Sequence, residues 1–251
     1  EPFYSFSGLT PAFSPDGSKV TSGGWKSTPI WDLATAKISM TLPRQMWPAF
    51  AVAFSPDGTR VATDVNLDVQ TWDAQTAKPL ATLSGHTGDI MGIAYSPDGQ
   101  RIATGGSDGT AKVWDAATGD SLLTLGGHKI GVDQVAFTPD GDRLLTGGMD
   151  GTARLWDISP TGGSDWLTVP GPADRQLGVS FSPDGTSFAV PRQLTGVTIR
   201  DVETGARIIT LKGHDLTIRR MVFSLDGTRL VGAAGSALGD FKVKTVPVWD
   251  V

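Results

Sequence analysis

The 251-residue chain contains no cysteine. That excludes disulfides and thiolate chemistry while leaving the redox compartment open. No run of 18 apolar residues occurs, so no membrane-spanning helix is expected. No basic, apolar leader with a small-residue cleavage site stands at the start; the cytoplasm is the favoured location, although Glu1 in place of Met leaves the native N-terminus open. There is no basic excess either. The 21 Lys and Arg against 26 Asp and Glu give a formal charge of -5, which disfavours a nucleic-acid or anionic-membrane surface. HExxH, P-loop and dinucleotide motifs are missing, as is any nucleophile–base pair. Histidine is scarce: the three present all follow glycine, at Gly85-His86, Gly127-His128 and Gly213-His214.

What is abundant is glycine, with 32 residues, beside an apolar fraction of 39%. The length suits one large all-β domain or two small domains. Six segments punctuate the chain: Phe13-SPDG, Phe54-SPDG, Tyr95-SPDG, Phe137-TPDG, Phe181-SPDG and Phe223-SLDG, with aromatic residues 41, 41, 42, 44 and 42 apart. A second marker follows each, at Trp31-Asp32, Trp72-Asp73, Trp114-Asp115, Trp156-Asp157, Arg200-Asp201 and Trp249-Asp250. Two markers recurring in phase near 42 residues signal a repeat architecture.

Each unit divides into four short strands. In the third, IMGIAY (90–95) ends at SPDG, where Pro97-Asp98 suits a tight turn and Gly99 a positive φ. RIATG (101–105), TAKVWD (110–115) and SLLTL (121–125) follow, separated by Gly-Asp and Thr-Gly turns. The alternation in the last two fits half-buried strands, and the spacing leaves no room for an ordinary helix.

These markers resemble the WD-repeat (WD40) β-propeller family, with bacterial-like repeats, across almost the whole chain. The resemblance implies an all-β fold of six four-stranded blades in a single domain spanning 1–251. The approximate units are 9–50, 51–91, 92–133, 134–177, 178–219, and 220–251 together with 1–8. The last part of this division rests on an apolar-Thr-apolar pattern in the outermost strand, at 40–42, 81–83, 123–125, 167–169 and 209–211. The sixth unit ends at Val251, just after its WD pair. EPFYSFSG (1–8) matches KPLATLSG (78–85), and Tyr4-Ser5-Phe6 can supply the missing outer strand. Closure by strand pairing would remove the free edges of the ring. The connection is short: Phe6 to Phe13 spans 7 residues where Leu83 to Tyr95 spans 12. Part of a seven-blade or double propeller is the alternative.

The resemblance also implies a hydrogen-bonded set inside a blade, made of His, a turn Asp, a strand Thr and the WD Trp. Two complete sets are present: His86, Thr104, Asp108 and Trp114; and His128, Thr146, Asp150 and Trp156. A third, around His214, is weakened by Gly232 at the Thr position and by Asp240 as an uncertain match. Equivalent positions on separate blades do not converge as metal ligands or bases do, so no metal, cofactor or catalytic residue is assigned.

The function expected is a non-enzymatic platform for a protein or peptide, possibly the sensor or scaffold domain of a larger protein. A propeller enzyme or small-ligand binder with a site near the axis is the rival. By resemblance, the upper-face connections carry the variable residues. Trp25, Met46, Trp47, Arg175, Arg192, Arg219 and Phe241 are the candidate partner surface, because aromatic and arginine side chains are common interface anchors. Neither nucleic acid nor membrane is expected as a partner, and the oligomeric state is left open. The fifth unit departs furthest from the pattern, with Arg200 for Trp and VPRQLTG (190–196) for a Gly-rich turn.

Overall fold

The structure is a computed structural model, and the described residues are 11–23, 27–43, 49–159, 164–170, 178–192, 196–212, 217–235 and 243–251. Among them there is no helix, and the strands form six antiparallel sheets. The first holds β1 (Pro11–Phe13), β2 (Lys19–Ser22), β3 (Thr28–Asp32) and β4 (Lys37–Leu42). The second holds β5 (Val52–Phe54), β6 (Arg60–Val65), β7 (Asp68–Asp73) and β8 (Pro79–Leu83). The third holds β9 (Ile90–Tyr95), β10 (Arg101–Gly106), β11 (Thr110–Asp115) and β12 (Ser121–Gly126). The fourth holds β13 (Val132–Phe137), β14 (Arg143–Gly148), β15 (Thr152–Asp157) and β16 (Ser164–Pro170). The fifth holds β17 (Ser180–Phe181), β18 (Ser187–Arg192), β19 (Gly196–Asp201) and β20 (Arg207–Leu211). The sixth holds β21 (Thr217–Phe223), β22 (Arg229–Gly235), β23 (Val243–Thr245) and β24 (Val248–Asp250).

The first five sheets run in sequence order, each strand pairing with the next. The sixth differs. Both β23 and β24 pair with β22, so they are two halves of one broken third strand. The break falls at Val246-Pro247, where proline has no N–H to give a ladder, although the Pro247 carbonyl still accepts from the Gly232 N–H at 2.9 Å.

The turn between the first two strands of each sheet explains the SPDG recurrence. The Ser55 hydroxyl donates to the Asp57 carboxylate at 2.6 Å, and the same carboxylate oxygen accepts from the Thr59 N–H at 2.9 Å. The Gly58 N–H closes the turn on the Ser55 carbonyl at 2.9 Å, with φ at 71°, a value that glycine adopts without a Cβ penalty. The same bonds recur from Ser14, Ser96, Thr138, Ser182 and Ser224.

Burial follows position in the sheet. The second strands β6, β10 and β14 are buried on both faces, whereas the outermost strands β8 and β12 expose most of their residues. Each outermost strand of the first five sheets carries a register shift opposite the residue at the WD Trp position or the one before it. Such bulges twist an edge and blunt it against stray pairing.

Innermost strands contact one another in chain order, from β1 to β5, β9, β13, β17 and β21. Apolar side chains fill the five joins between successive sheets. Ile102, Trp114 and Leu83 meet between the second and third, and Leu144, Trp156 and Leu125 between the third and fourth. Gly105 permits one of these close approaches: a Cβ there would lie 2.7 Å from the Val132 carbonyl oxygen of the next sheet.

A polar contact reinforces three successive joins. Arg60, at the start of β6, donates to the Ala116 carbonyl of the third sheet at 3.1 Å. Arg101, at the start of β10, donates to Gly141 and Ile158 of the fourth at 2.7 and 3.4 Å. Arg143, at the start of β14, reaches Glu203 of the fifth at 2.7 Å. One residue type at one strand position thus grips the adjoining sheet three times.

Candidate functional site

The polar groups inside the third and fourth sheets form the most complete constellation. Thr104 is buried on β10, directly before the glycines, and Trp114 lies on the adjacent β11. The Trp114 indole N–H donates to the Thr104 hydroxyl at 2.8 Å. His86 Nε2 is 2.7 Å from that hydroxyl, and Nδ1 is 2.8 Å from Asp108. The Thr87 N–H and Thr110 hydroxyl donate to the same carboxylate at 2.9 and 2.7 Å. Every group is used once if the imidazole is neutral with its proton on Nδ1, so that Thr104 donates to Nε2. The fourth sheet repeats the arrangement. Trp156 donates to Thr146 at 2.9 Å, and His128 stands 2.8 Å from Thr146 and 3.0 Å from Asp150. Lys129 N–H also donates to Asp150, at 2.9 Å.

Electrostatics suit this arrangement. Burial lowers the affinity of His86 for a second proton, against the pull of Asp108. Asp108 and Asp150 are held below the usual carboxylate range, because bonds from the Thr87 and Lys129 N–H groups, the adjacent threonines and the histidines together outweigh the opposing effect of burial. Both ring nitrogens of His86 and of His128 are occupied, leaving none of the four directed at a ligand. Among the described residues, no group of three or more His, Asp or Glu side chains is placed to hold a metal ion.

The second sheet has no histidine and handles the same position differently. Trp72 still donates to Thr63, at 2.9 Å. The next residue on β6 is Asp64, where β10 and β14 carry Gly105 and Gly147. Its buried carboxylate accepts from the Phe50 and Ala51 N–H groups, both at 2.8 Å. Burial pushes this carboxyl up to about 6 despite those bonds, and Asp89 adds repulsion. Sequence reasoning missed Asp64; its signal was an acid where the neighbouring units have glycine. In the sixth sheet Gly232 removes the hydroxyl, and the Trp249 N–H donates instead to the Lys212 carbonyl at 3.0 Å. His214 and Asp240 lie outside the described residues.

Of the candidate partner surface, Trp25, Met46, Trp47, Arg175 and Phe241 also lie outside the described residues. Arg219 falls within β21, with its side chain outside them. Arg192 is exposed at the end of β18, opposite Gly196. A separate cleft of about 510 Å³ opens between the first turns of the second and third sheets, lined by Asp57, Arg60, Asp98 and Asp115 among others. Its carboxylates accept bonds within their own turns, and Arg60 donates to the Ala116 carbonyl.

Two measurements test this polar interior. His128→Ala strips Asp150 and Thr146 of a partner and is expected to cost about 1–3 kcal/mol in chemical denaturation; an unchanged midpoint would remove the set from the stabilising interactions. Asp64 acts in the opposite sense. Its folded pKa lies above the ordinary 3.8, so the native state binds the proton more tightly and stability rises as pH falls from about 6 toward 4. Ionisation at neutral pH therefore carries a penalty of roughly 3 kcal/mol. Asp64→Asn keeps an oxygen for both N–H groups. Its melting temperature at pH 7 should equal or exceed that of the native chain, and the difference should vanish near pH 4. A lower value at pH 7 would show that the carboxylate charge itself is needed.

Comparison with known proteins bears on the whole arrangement. No curated protein matches the chain. Residues 48–251 match the family model described as the IFT122 first beta-propeller. With the WD pairs, the repeating four-stranded sheets and this match in agreement, the chain belongs to the WD40-type β-propeller family of the IFT122 first beta-propeller.

Proposed function

We propose that the domain is a non-enzymatic platform that holds a protein or peptide partner. The observation that carries this reading is the complete occupation of both described histidines, each held between an aspartate and a threonine. The groups best suited to acid–base work are thereby assigned to holding sheets together. Family membership supports the same reading, since WD40-type propellers serve widely as interaction scaffolds. The partner surface is the upper face, where Trp25, Met46, Trp47, Arg175, Arg192, Arg219 and Phe241 lie in or near connections that depart from the repeat. Trp offers a large apolar area at little rotamer cost, and Arg offers fixed donors.

The platform is a single ring of six blades, with Tyr4-Ser5-Phe6 as the outer strand of the last. Three features support this. The sixth sheet has no strand beyond β23 and β24 among the described residues. Phe13 is 63% exposed and Val248 56%, whereas Phe54 and Phe223, in the position of Phe13, are 9% and 7% exposed between sheets. Arg229 begins β22 as Arg60, Arg101 and Arg143 begin theirs, yet it faces Asp250 of its own sheet at 3.6 Å. Closure would set it beside the turn after Trp31.

Deleting residues 1–7 should lower the thermal midpoint in one cooperative transition, and a midpoint identical to that of the intact chain would defeat the closure. For the face, Trp47→Ala with Arg219→Ala is compared with the lower-face pair Gln75→Ala and Gln100→Ala. Proteins captured by the native chain and by the lower-face pair, but not by the upper-face pair, are the expected result at matched melting temperatures. Retention by the upper-face pair and loss by the lower pair would reverse the assignment.

A further inference from the structure

The fifth sheet breaks the pattern of the others in a way that points outward. Opposite the residue before Asp in the WD pair, the outermost strand elsewhere places Ile38, Pro79, Ser121 or Asp165. In the fifth sheet the pair is Arg200 with Arg207, two cations directly across β19 and β20. Like charges in that relation destabilise a sheet. Among the described residues, neither arginine is paired with a carboxylate. The neighbouring Glu203 is bound to Arg143, and Asp201 is occupied by Thr204. One guanidinium nitrogen of Arg200 donates to the Gly205 carbonyl at 2.7 Å, while its Nε is buried without a partner. Burial, then Arg207, then Arg192, all act against its charge. The repulsion persists in a protein whose net charge is negative.

Beside this pair lies an apolar shelf. Ile208 is 60% exposed and Ile209 42%, both on β20. Among the described residues β20 pairs only with β19, so its outer edge is open, with Ile208 unpaired at the register shift. An open edge offers N–H and C=O groups to an added strand, and side chains at alternate positions set its specificity.

We infer that the outer strand of the fifth sheet is a docking site for an extended acidic peptide, whose carboxylates neutralise Arg200 and Arg207 while its apolar residues cover Ile208 and Ile209. The site is separate from the upper face, and loss of either leaves the other intact. Charge complementarity selects the occupant: a carboxylate can bind a guanidinium with two parallel bonds, and it converts the repulsion between two arginines into a shared attraction. The retention of Arg200 where the other sheets carry Trp is then a requirement of binding, met at the expense of local stability.

The probe is a fluorescein-labelled Glu-Val-Glu-Val-Glu-Val peptide, titrated with the intact chain and read by anisotropy. Lys-Val-Lys-Val-Lys-Val and a labelled thymidine oligonucleotide serve as comparators. Saturable binding of the Glu–Val peptide is expected, weakening as salt is raised. Arg207→Glu should reduce its affinity at least tenfold. Arg200→Trp, which restores the ring found in the other sheets, should do the same while melting at or above the native temperature. Lys37→Glu, a cation-to-anion reversal on the outermost strand of the first sheet, next to Ile38 at the position of Arg207, should change affinity less than twofold. The inference is overturned by the absence of saturable binding, by equal losses in Arg207→Glu and Lys37→Glu, or by tighter binding of the oligonucleotide, which would assign the arginines to phosphate. If Arg200→Trp proves unfolded, Arg207→Glu against Lys37→Glu decides the matter.

Discussion

A four-stranded sheet with apolar side chains on both faces cannot cover either face by itself. That constraint governs this molecule. It explains why the second strand of a sheet is buried throughout while the outermost strand alternates, since only the latter reaches beyond its neighbours. It explains why glycine occupies β9 and β10 where the next inner strand presses close, with the Asp133 and Val132 carbonyl oxygens at 2.9 and 2.7 Å from the positions a Cβ would take. It also makes the two end sheets incomplete as units. Apolar burial stabilises by roughly 25 cal/mol per Å², so faces left with Phe13 and Val248 in water forgo what every internal join gains. A repeat protein of this kind needs either ring closure or a capping partner at its ends.

Within that frame the buried polar groups share one task, performed with different residues. In the second, third and fourth sheets the entering connection brings backbone N–H groups that a nearby carboxylate receives. Asp108 receives Thr87, Asp150 receives Lys129, and Asp64 receives Phe50 and Ala51. Histidine accompanies the task in the third and fourth sheets and is dispensable in the second, where Asp64 approaches from the strand itself. The common requirement is satisfaction of buried donors at the point where chain direction changes. An imidazole adds a link from that carboxylate to the Thr–Trp pair, so that strand, turn and connection are fixed together. The chemistry of a His–Asp pair therefore acts here as a structural coupling.

Much of the architecture was legible in the sequence, because turn chemistry and strand alternation are local. Strands read at 90–95 and 110–115 coincide with β9 and β11, and those at 101–105 and 121–125 are one residue shorter than β10 and β12. The hydrogen bonds joining His86, Thr104, Asp108 and Trp114 were expected from the resemblance to the WD-repeat family, not from spacing alone. What escaped notice was non-local. Arg60, Arg101 and Arg143 look like ordinary polar residues at strand starts, and their grip on the adjoining sheet spans 40 to 60 positions. Asp64 reads as a polar intrusion until its two N–H partners are seen. The division of the sixth sheet's third strand by Val246-Pro247 was obscured by the long insertion before it. The proposed partner-facing residues were the least legible, because connections that diverge from a repeat carry no period by which to interpret them.

That difference gives divergence a meaning when it falls inside a sheet. A variable connection costs the fold little, so its sequence is weak evidence of use. Arg200 is another matter. It stands in a strand, at a site where the five other sheets place an indole, opposite a second arginine, with a buried nitrogen lacking a partner. Drift toward a tolerated residue would favour any neutral side chain over this one, since most substitutions there avoid both the repulsion and the desolvated donor. Asp201, Thr204 and the turn around it keep the standard bonds, so the departure is confined to the Arg200–Arg207 pair. The repeat thus supplies its own reference state: five sheets define what the framework needs, and the sixth comparison, made at one strand pair, isolates what it does not.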